Sequence, residues 1–245
     1  LRAGYPITDN LRESWAYTLK QSTISSVSST ASPYVQSEKG DSILSEIGHG
    51  LSYDRRDSKV FPTEGYIIGM SNDLAGIGGS KRYMRNVVNA GKYFPLYDQW
   101  VLSVGGRTGH IFGIGDDVSL LDRFYIGGDD LRGFATSGVG PRDKSTQDAL
   151  GGEWMYKGSV ELKFPLGLPQ ELGISGKLFS DMGSSGRINP TGSDVHDTGK
   201  MRASVGTGVA WVSPFGPVSI DMGFPVIKEN FDQTEAIRVN FGTRF

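Results

Sequence analysis

Apolar and polar positions alternate with a period of two along most of this chain, and this pattern predicts β-strands rather than helices. In the last ten residues, one face consists of Ile237, Val239, Phe241, Thr243 and Phe245. The opposite face is polar and carries Arg238, Asn240 and Arg244. The same separation recurs in about a dozen segments, which are 1–7, 11–24, 42–55, 65–76, 82–94, 98–112, 119–126, 155–164, 171–183, 200–212, 216–226 and 235–245.

The lengths of these segments and of their connections indicate a membrane protein. Most segments have ten residues or more, whereas strands of soluble proteins average about 5–6 and a tilted strand that crosses a bilayer needs about 9–11. Short turns that contain proline, such as 60–65 and 213–217, alternate with longer polar loops. The longer loops are 25–41, 113–119, 127–154, 184–199 and 227–234. Short turns at one rim and long loops at the other are typical of an outer-membrane barrel.

Composition is consistent with this class of protein. Glycine contributes 35 of 245 residues, about twice its ordinary share, and most glycines lie within the alternating segments, as expected for strands that bend around a small radius. The net charge of −2 gives no basic surface for nucleic acid. We therefore predict an all-β fold, an antiparallel transmembrane β-barrel with about 12 strands present. A soluble β-sandwich is the alternative.

Candidate catalytic and metal-ligating residues do not form a recognisable group. Cysteine is absent, and His49, His110 and His196 are far apart without the spacing of metal ligands. The aspartate pairs at 116–117 and 129–130 lie in loops without an adjacent base. We predict no metal site, no cofactor and no catalytic residue, so the protein is not expected to be an enzyme.

A glycine-rich stretch, FYIGGDDLRGF at 124–134, carries a single cation in an apolar frame. Arg132 lies between Leu131 and Gly133, and Phe134 follows. A surface loop would leave this side chain in water, but its apolar neighbours favour an inward position. The question is then which groups receive the guanidinium.

Two carboxylates on consecutive predicted strands are candidates. Alternation in GSVELKFP and LGISGKLFSDMG places Glu161 and Asp181 on the polar faces, where Phe179 also falls. A guanidinium presents donors in a fixed fork, which suits it to bridge two carboxylates in a confined space. The alternative is that both carboxylates only hydrate a pore or pair with Lys163 and Lys177.

Several of these segments, taken together, resemble the BamA family of outer-membrane barrel-assembly proteins. FYIGGDDLRGF with the later VGPRD is similar to the sixth extracellular loop of that family and its V-R-G-F/Y motif, with Leu131 in place of the usual valine. YDRRDSKVFPTEG, VELKFP, FSDMG and GVAWVSPFGPVSIDMGFP match further segments in the family's order. The final VNFGTRF looks like the last strand, which ends in the aromatic residue that assembly signals favour.

The resemblance implies a 16-stranded barrel preceded by POTRA domains. Residues 1–245 would be the C-terminal part of the barrel domain with an inserted loop at 127–154, and the first strands and the POTRA domains would be missing from this sequence. The implied loop-lock motif comprises Leu131, Arg132, Gly133 and Phe134, with Glu161 and Asp181 as inward partners. The implied C-terminal assembly signal comprises Val239, Phe241 and Phe245.

The resemblance also implies the function, which is to fold and insert β-barrel proteins into the outer membrane without ATP or covalent catalysis. The expected partners are unfolded outer-membrane β-barrel proteins, accessory assembly lipoproteins and outer-membrane lipid. A two-partner secretion transporter or a TamA-like translocation barrel is an alternative, because these proteins share the R-G-F/Y loop. A passive porin is a third possibility.

Overall fold

The computed structural model describes residues 1–188, 192–214 and 216–241. Its strands, in chain order, are β1 (Arg2–Pro6), β2 (Leu11–Ile24), β3 (Gly40–Asp54), β4 (Gly65–Ala75), β5 (Tyr83–Tyr97), β6 (Trp100–Gly113), β7 (Gly133–Phe134), β8 (Arg142–Asp143), β9 (Trp154–Pro165), β10 (Ile174–Gly186), β11 (Val195–His196), β12 (Arg202–Ser213), β13 (Gly216–Ile227), β14 (Thr234–Glu235) and β15 (Ile237–Phe241). A short helix, α1 (Pro33–Ser37), and two 3-10 turns, Leu120–Asp122 and Gln170–Leu172, complete the described elements.

Eleven strands form one sheet in the order β1-β2-β3-β4-β5-β6-β9-β10-β12-β13-β15. Each pair of neighbours in this sheet is antiparallel, and β1 and β15 lie at its two edges. The four two-residue strands pair outside the sheet, β7 with β14 and β8 with β11. The predicted all-β class with long antiparallel strands is therefore confirmed.

The predicted strand bounds agree with the sheet strands to within a few residues, with one exception. The segment 119–126 was wrongly predicted as a strand, because it begins with the 3-10 turn Leu120–Asp122 and then makes only isolated bridges at Phe124 and Ile126. Both of these side chains are buried, Phe124 at 4% exposure and Ile126 at 1%. These two side chains alternate because the loop packs one of its sides against the inner face of the sheet. Alternation of this kind in the sequence looks the same as that of a strand.

The two faces of the sheet differ as the alternation predicts. The alternation predicts that one set of apolar residues faces lipid. All of them lie on the outer face, and only Leu102 among them is half-buried; they are Trp100, Leu102, Val104, Val205, Val209, Trp211, Ile220, Met222, Ile237, Val239 and Phe241. The inner face carries buried charges, including Lys177, Asp181 and Asp221. Arg202 is 1% exposed and Arg238 also lies inward, so both arginines are on the polar inner face.

The main apolar cluster lies between the inner face and the connection from β6 to β9. Its buried members are Ala75, Tyr83, Val87, Ile111, Val118, Phe124, Ile126, Leu131, Phe134, Val139 and Met155. Six of these belong to 118–139 within the connection, so this segment supplies much of the core that the charged inner face lacks. Among the described residues, none of the helices combines the length and the hydropathy needed to cross a membrane.

The same substitution at two adjacent residues of β6, which lie on opposite faces, tests the assignment of the two faces. Val104 is 42% exposed on the outer face, whereas Ser103 lies on the inner face. We expect Val104→Lys to lower the free energy of unfolding by about 2–4 kcal/mol if it lies near the bilayer midplane. Ser103→Lys should cost much less, because its ammonium group remains in the polar interior. Equilibrium unfolding in lipid vesicles measures both values, and equal losses would contradict the assignment.

Candidate functional site: an arginine held by two carboxylates

The connection between β6 and β9 folds inward and buries the central motif. Leu131 and Phe134 are fully buried, and Arg132 is 2% exposed. Gly133 has a φ of 91°, a left-handed conformation that favours glycine. Its backbone contacts β13 so closely that a Cβ atom on Gly223 would lie 2.6 Å from the Gly133 nitrogen. Two glycines therefore allow the loop to rest directly on the sheet.

Arg132 binds two carboxylates on neighbouring strands. Its Nε and Nη2 each donate to one oxygen of Asp181 on β10, both at 2.7 Å. Its Nη1 donates to Oε2 of Glu161 on β9 at 2.5 Å. Nη2 also donates to Ser159 at 3.2 Å, and the backbone N–H of Arg132 donates to Asp181 at 3.2 Å. We call Arg132, Glu161 and Asp181 the arginine lock.

An aromatic ring supports the guanidinium from the sheet side. The Cζ atom of Arg132 lies 3.4 Å from the ring centroid of Phe179, which is a cation–π contact. The ring needs space on the next strand, because a Cβ atom on Gly206 would lie 2.3 Å from the Phe179 ring. The inward position of Phe179 on a polar face was visible in the sequence, but its role in supporting Arg132 was not.

The surroundings keep Arg132 charged. Burial by itself disfavours a charged guanidinium, but the hydrogen bonds and negative charges of Asp181 and Glu161 outweigh burial and raise the pKa of Arg132. The alternative partners predicted for these carboxylates are arranged differently. Lys177 lies 4.0 Å from Glu161 but pairs with Asp221 at 2.7 Å. Lys163 makes no ion pair within the described part of the chain.

The same loop is also bonded to the end of the chain. β7 pairs with β14, with Phe134 opposite Thr234 and Gly133 opposite Glu235. Arg238 on β15 contacts Asp129 at 3.4 Å in an ion pair and also pairs with Glu235. The loop is therefore attached both to the inner face and to the strand at the sheet edge.

A second attachment, which we call the clasp, joins this loop to the connection between β2 and β3 and is formed by Ser32, Asp143 and Asp148. Ser32, which is fully buried beside α1, donates from its hydroxyl to Asp143 and from its backbone N–H to Asp148, both at 2.7 Å. Glu38 accepts from the hydroxyl of Ser119 at 2.5 Å and from the backbone N–H of Leu120 at 2.7 Å. Sequence reasoning missed these contacts, since their partners are more than eighty residues apart.

The remaining predicted site residues are spread along the terminal strand. Val239 and Phe241 are on the outer face, with exposures of 50% and 81%. Phe245 lies outside the described residues. His49 contacts Glu13 at 3.0 Å on the outer face, and no group of three potential metal ligands occurs within 1–188, 192–214 and 216–241.

An antiparallel sheet of long strands with an apolar outer face, a charged inner face and an inward-folded loop defines a transmembrane β-barrel of the outer-membrane type. Comparison with known families specifies the class further. The Omp85 superfamily domain matches residues 1–245, and the chain belongs to this superfamily of outer-membrane proteins.

The names of similar curated proteins are consistent with this family. Outer membrane protein assembly factor BamA of Neorickettsia risticii is 34% identical over 99% of the chain and 33% of its own length. The mouse sorting and assembly machinery component 50 homolog is 34% identical over 62% of the chain and 33% of its own length. The chain thus spans about a third of the length of these relatives.

A crystal structure has a similar fold. BamA from Haemophilus ducreyi lacking POTRA domains 1–3 superposes with a TM-score of 0.81 at 24% identity. The match covers 97% of this chain and 52% of the other.

Removal of Arg132 should release the loop. Arg132→Ala leaves Asp181 buried without its cation, and loss of one partner of a buried pair costs about 3–5 kcal/mol, less where water enters. We expect faster protease cleavage between residues 127 and 154. Arg132→Lys should restore protection only partly, because an ammonium group cannot form the planar fork. Arg107→Ala is the matched control, since Arg107 also faces inward but forms no ion pair among the described residues. Wild-type cleavage in Arg132→Ala would contradict the lock.

The ionisation of Asp143 sets the pH range in which the clasp is stable. Burial alone would raise the pKa of Asp143, but hydrogen bonds from Thr146, Ser145 and Ser32 outweigh it and lower the pKa well below its usual value. A depressed folded-state pKa stabilises the clasp above the unfolded value of about 3.9, and this stabilisation is lost as pH falls through the folded value. Protease cleavage within 25–39 should therefore be equal at pH 7 and pH 5.

Asp143→Asn should raise that cleavage already at pH 7, because the charge that accepts these hydrogen bonds is gone. Asp116→Asn is the control, since Asp116 is exposed and makes no side-chain hydrogen bond among the described residues. A clasp that opened between pH 7 and pH 5 in the wild-type protein would contradict this assignment.

Proposed function

We propose that this chain is part of an assembly factor that folds β-barrel proteins and inserts them into the outer membrane. The observation that carries this proposal is the similarity over 99% of the chain to a protein named outer membrane protein assembly factor. The partners would be unfolded outer-membrane β-barrel proteins, accessory assembly lipoproteins and membrane lipid. No nucleic acid, cofactor or enzymatic step belongs to this activity.

The edge of the sheet suggests how such an activity operates without a chemical energy source. Within the described residues, β15 pairs with β13 through five positions, from Val218 opposite Phe241 to Met222 opposite Ile237. A strand at an edge offers backbone N–H and C=O groups to an incoming strand, which can extend the sheet by β-augmentation. The folding free energy of the client would then drive its insertion.

In this proposal the arginine lock keeps the sheet rigid while its edge strand, β15, exchanges one pairing strand for another. Leu131, Arg132, Gly133 and Phe134 form the lock motif, with Glu161 and Asp181 as its receptors. Val239, Phe241 and Phe245 act as the assembly signal for insertion of this protein itself. Residues 1–245 would be the C-terminal part of the barrel domain.

The packed interior favours assembly over passive transport. Leu131, Phe134 and Val139 of the inserted loop pack against inner-face residues, including Val87 and Met155. A passive porin requires an open aqueous channel, which this loop narrows. The two-partner secretion and TamA-like alternatives share such a loop, so they differ from the proposal in their cargo.

Reconstitution tests the proposed function directly. The full-length protein is placed in lipid vesicles, and a urea-unfolded eight-stranded barrel protein is diluted into them. The folded fraction of the client is followed by its altered migration on unheated gels. We expect faster folding than in vesicles that hold a passive porin at equal density, since that control reproduces the membrane disturbance but not the receptive edge. Equal rates would overturn the proposal.

A further inference from the structure

A row of inward-facing residues crosses five strands beside the arginine lock. The strand register aligns Lys163, Lys177, Gly208, Asp221 and Arg238 on β9, β10, β12, β13 and β15. Within this row, Nζ of Lys177 lies 2.7 Å from Oδ1 of Asp221. The two side chains are 5% and 1% exposed, so this ion pair is buried.

The Lys177–Asp221 pair joins two strands that are not neighbours. Each strand spacing is about 4.8 Å, so the lysine must extend across the whole width of β12. Gly208 occupies the crossing point, where a Cβ atom would lie 2.3 Å from Oδ1 of Asp221 and 3.0 Å from Cε of Lys177. The pair can form because this position on β12 has no side chain.

Lys177 is also close to the lock. Its Nζ lies 4.0 Å from Oε2 of Glu161, the same oxygen that accepts from Arg132 at 2.5 Å. Lys177 thus lies between two carboxylates, with Asp221 as the nearer partner while Arg132 occupies Glu161. If Arg132 left, the uncompensated charge of Glu161 would attract the ammonium group more strongly.

Asp221 connects this row to the terminal strand. Its register partner on β15 is Arg238, and Asn240 of the same strand donates to Oδ2 of Asp221 at 3.4 Å. This contact therefore joins β15 to β13 on the inner side of the sheet, within the part of β15 that the structure describes.

We propose that Lys177 is a positioning residue that transmits the state of the arginine lock to the terminal strand. With Arg132 bound, Lys177 remains on Asp221, and the inner side of β13 and β15 is fixed. When Arg132 leaves, Lys177 moves towards Glu161 and the terminal strand opens more readily. This coupling rests on the proposed function for its purpose, because it would link release of the loop to opening of the edge that receives clients.

The loop also contacts β14 and β15 directly, through β7–β14 pairing and the Arg238–Asp129 ion pair. Release of the loop could therefore loosen β15 by either route. Glu161 distinguishes them, because only the charge route needs its carboxylate. Neutralising Glu161 should leave Lys177 on Asp221 even when Arg132 is absent.

Hydrogen exchange of the amides in 237–241 measures this coupling in the full-length protein in lipid nanodiscs, without any client. We expect Lys177→Met and Arg132→Ala each to accelerate exchange on the order of tenfold, which corresponds to about 1.4 kcal/mol. Adding Glu161→Gln to Arg132→Ala should return the rate towards wild type, although the loop stays protease-sensitive. Arg107→Met is the matched control and should change nothing, since Arg107 also faces inward but has no ion pair among the described residues.

Two results would overturn the inference. One is exchange in the Arg132→Ala, Glu161→Gln double variant as fast as in Arg132→Ala alone, which would assign the coupling to direct contacts. The other is wild-type exchange in Lys177→Met. Should Lys177→Met fail to fold, the comparison of the double variant with Arg132→Ala decides by itself. A protein that shows the expected exchange but inserts no client would overturn the proposed function and leave this coupling intact.

Discussion

The structure depends on keeping one guanidinium charged inside the sheet. Desolvation of a charged group costs several kcal/mol, so Arg132 can be 2% exposed only if nearly all of its donors find charged or polar acceptors. Both oxygens of Asp181 and one of Glu161 meet this requirement. The inward path of the loop, the Gly133–Gly223 contact and the ring of Phe179 all follow from this geometry. Such a site specifies one conformation of the loop, even where an apolar replacement would be equally stable.

The sheet must satisfy two solvents at once. Its outer face is mostly apolar because hydrocarbon cannot solvate charge, whereas charged residues of its inner face form ion pairs such as Lys177–Asp221 and Arg202–Asp232. Neither face alone supplies an ordinary hydrophobic core. The inserted loop supplies a hydrophobic core, in which Leu131 and Phe134 join the cluster that includes Ile111 and Met155. The same loop therefore contributes both the apolar packing and the cation of the lock.

The loop is held in three places by different kinds of contact. The arginine lock fixes its tip to β9 and β10, backbone pairing fixes Gly133 and Phe134 to β14, and Ser32 fixes Asp143 to the connection between β2 and β3. Ion pairs in a polar interior, backbone hydrogen bonds and a buried hydroxyl respond differently to salt, pH and substitution. The attachment points can therefore be released separately, and Lys177 lies where release of the lock could reach the terminal strand.

The sequence by itself determined the strands and their two faces, because alternation with a period of two is a local property of each segment. It also placed Glu161 and Asp181 inward on consecutive strands, and the structure brings Arg132 to both. Only the tertiary structure decided that 119–126 packs as a loop, that Phe179 supports the guanidinium, and that Lys177 reaches Asp221 over Gly208. The last two outcomes depend on the register between neighbouring strands and on the space that a glycine leaves on β12. Similarly, Ser32 and Asp143 are 111 residues apart in the sequence, and no local pattern encodes a contact between them.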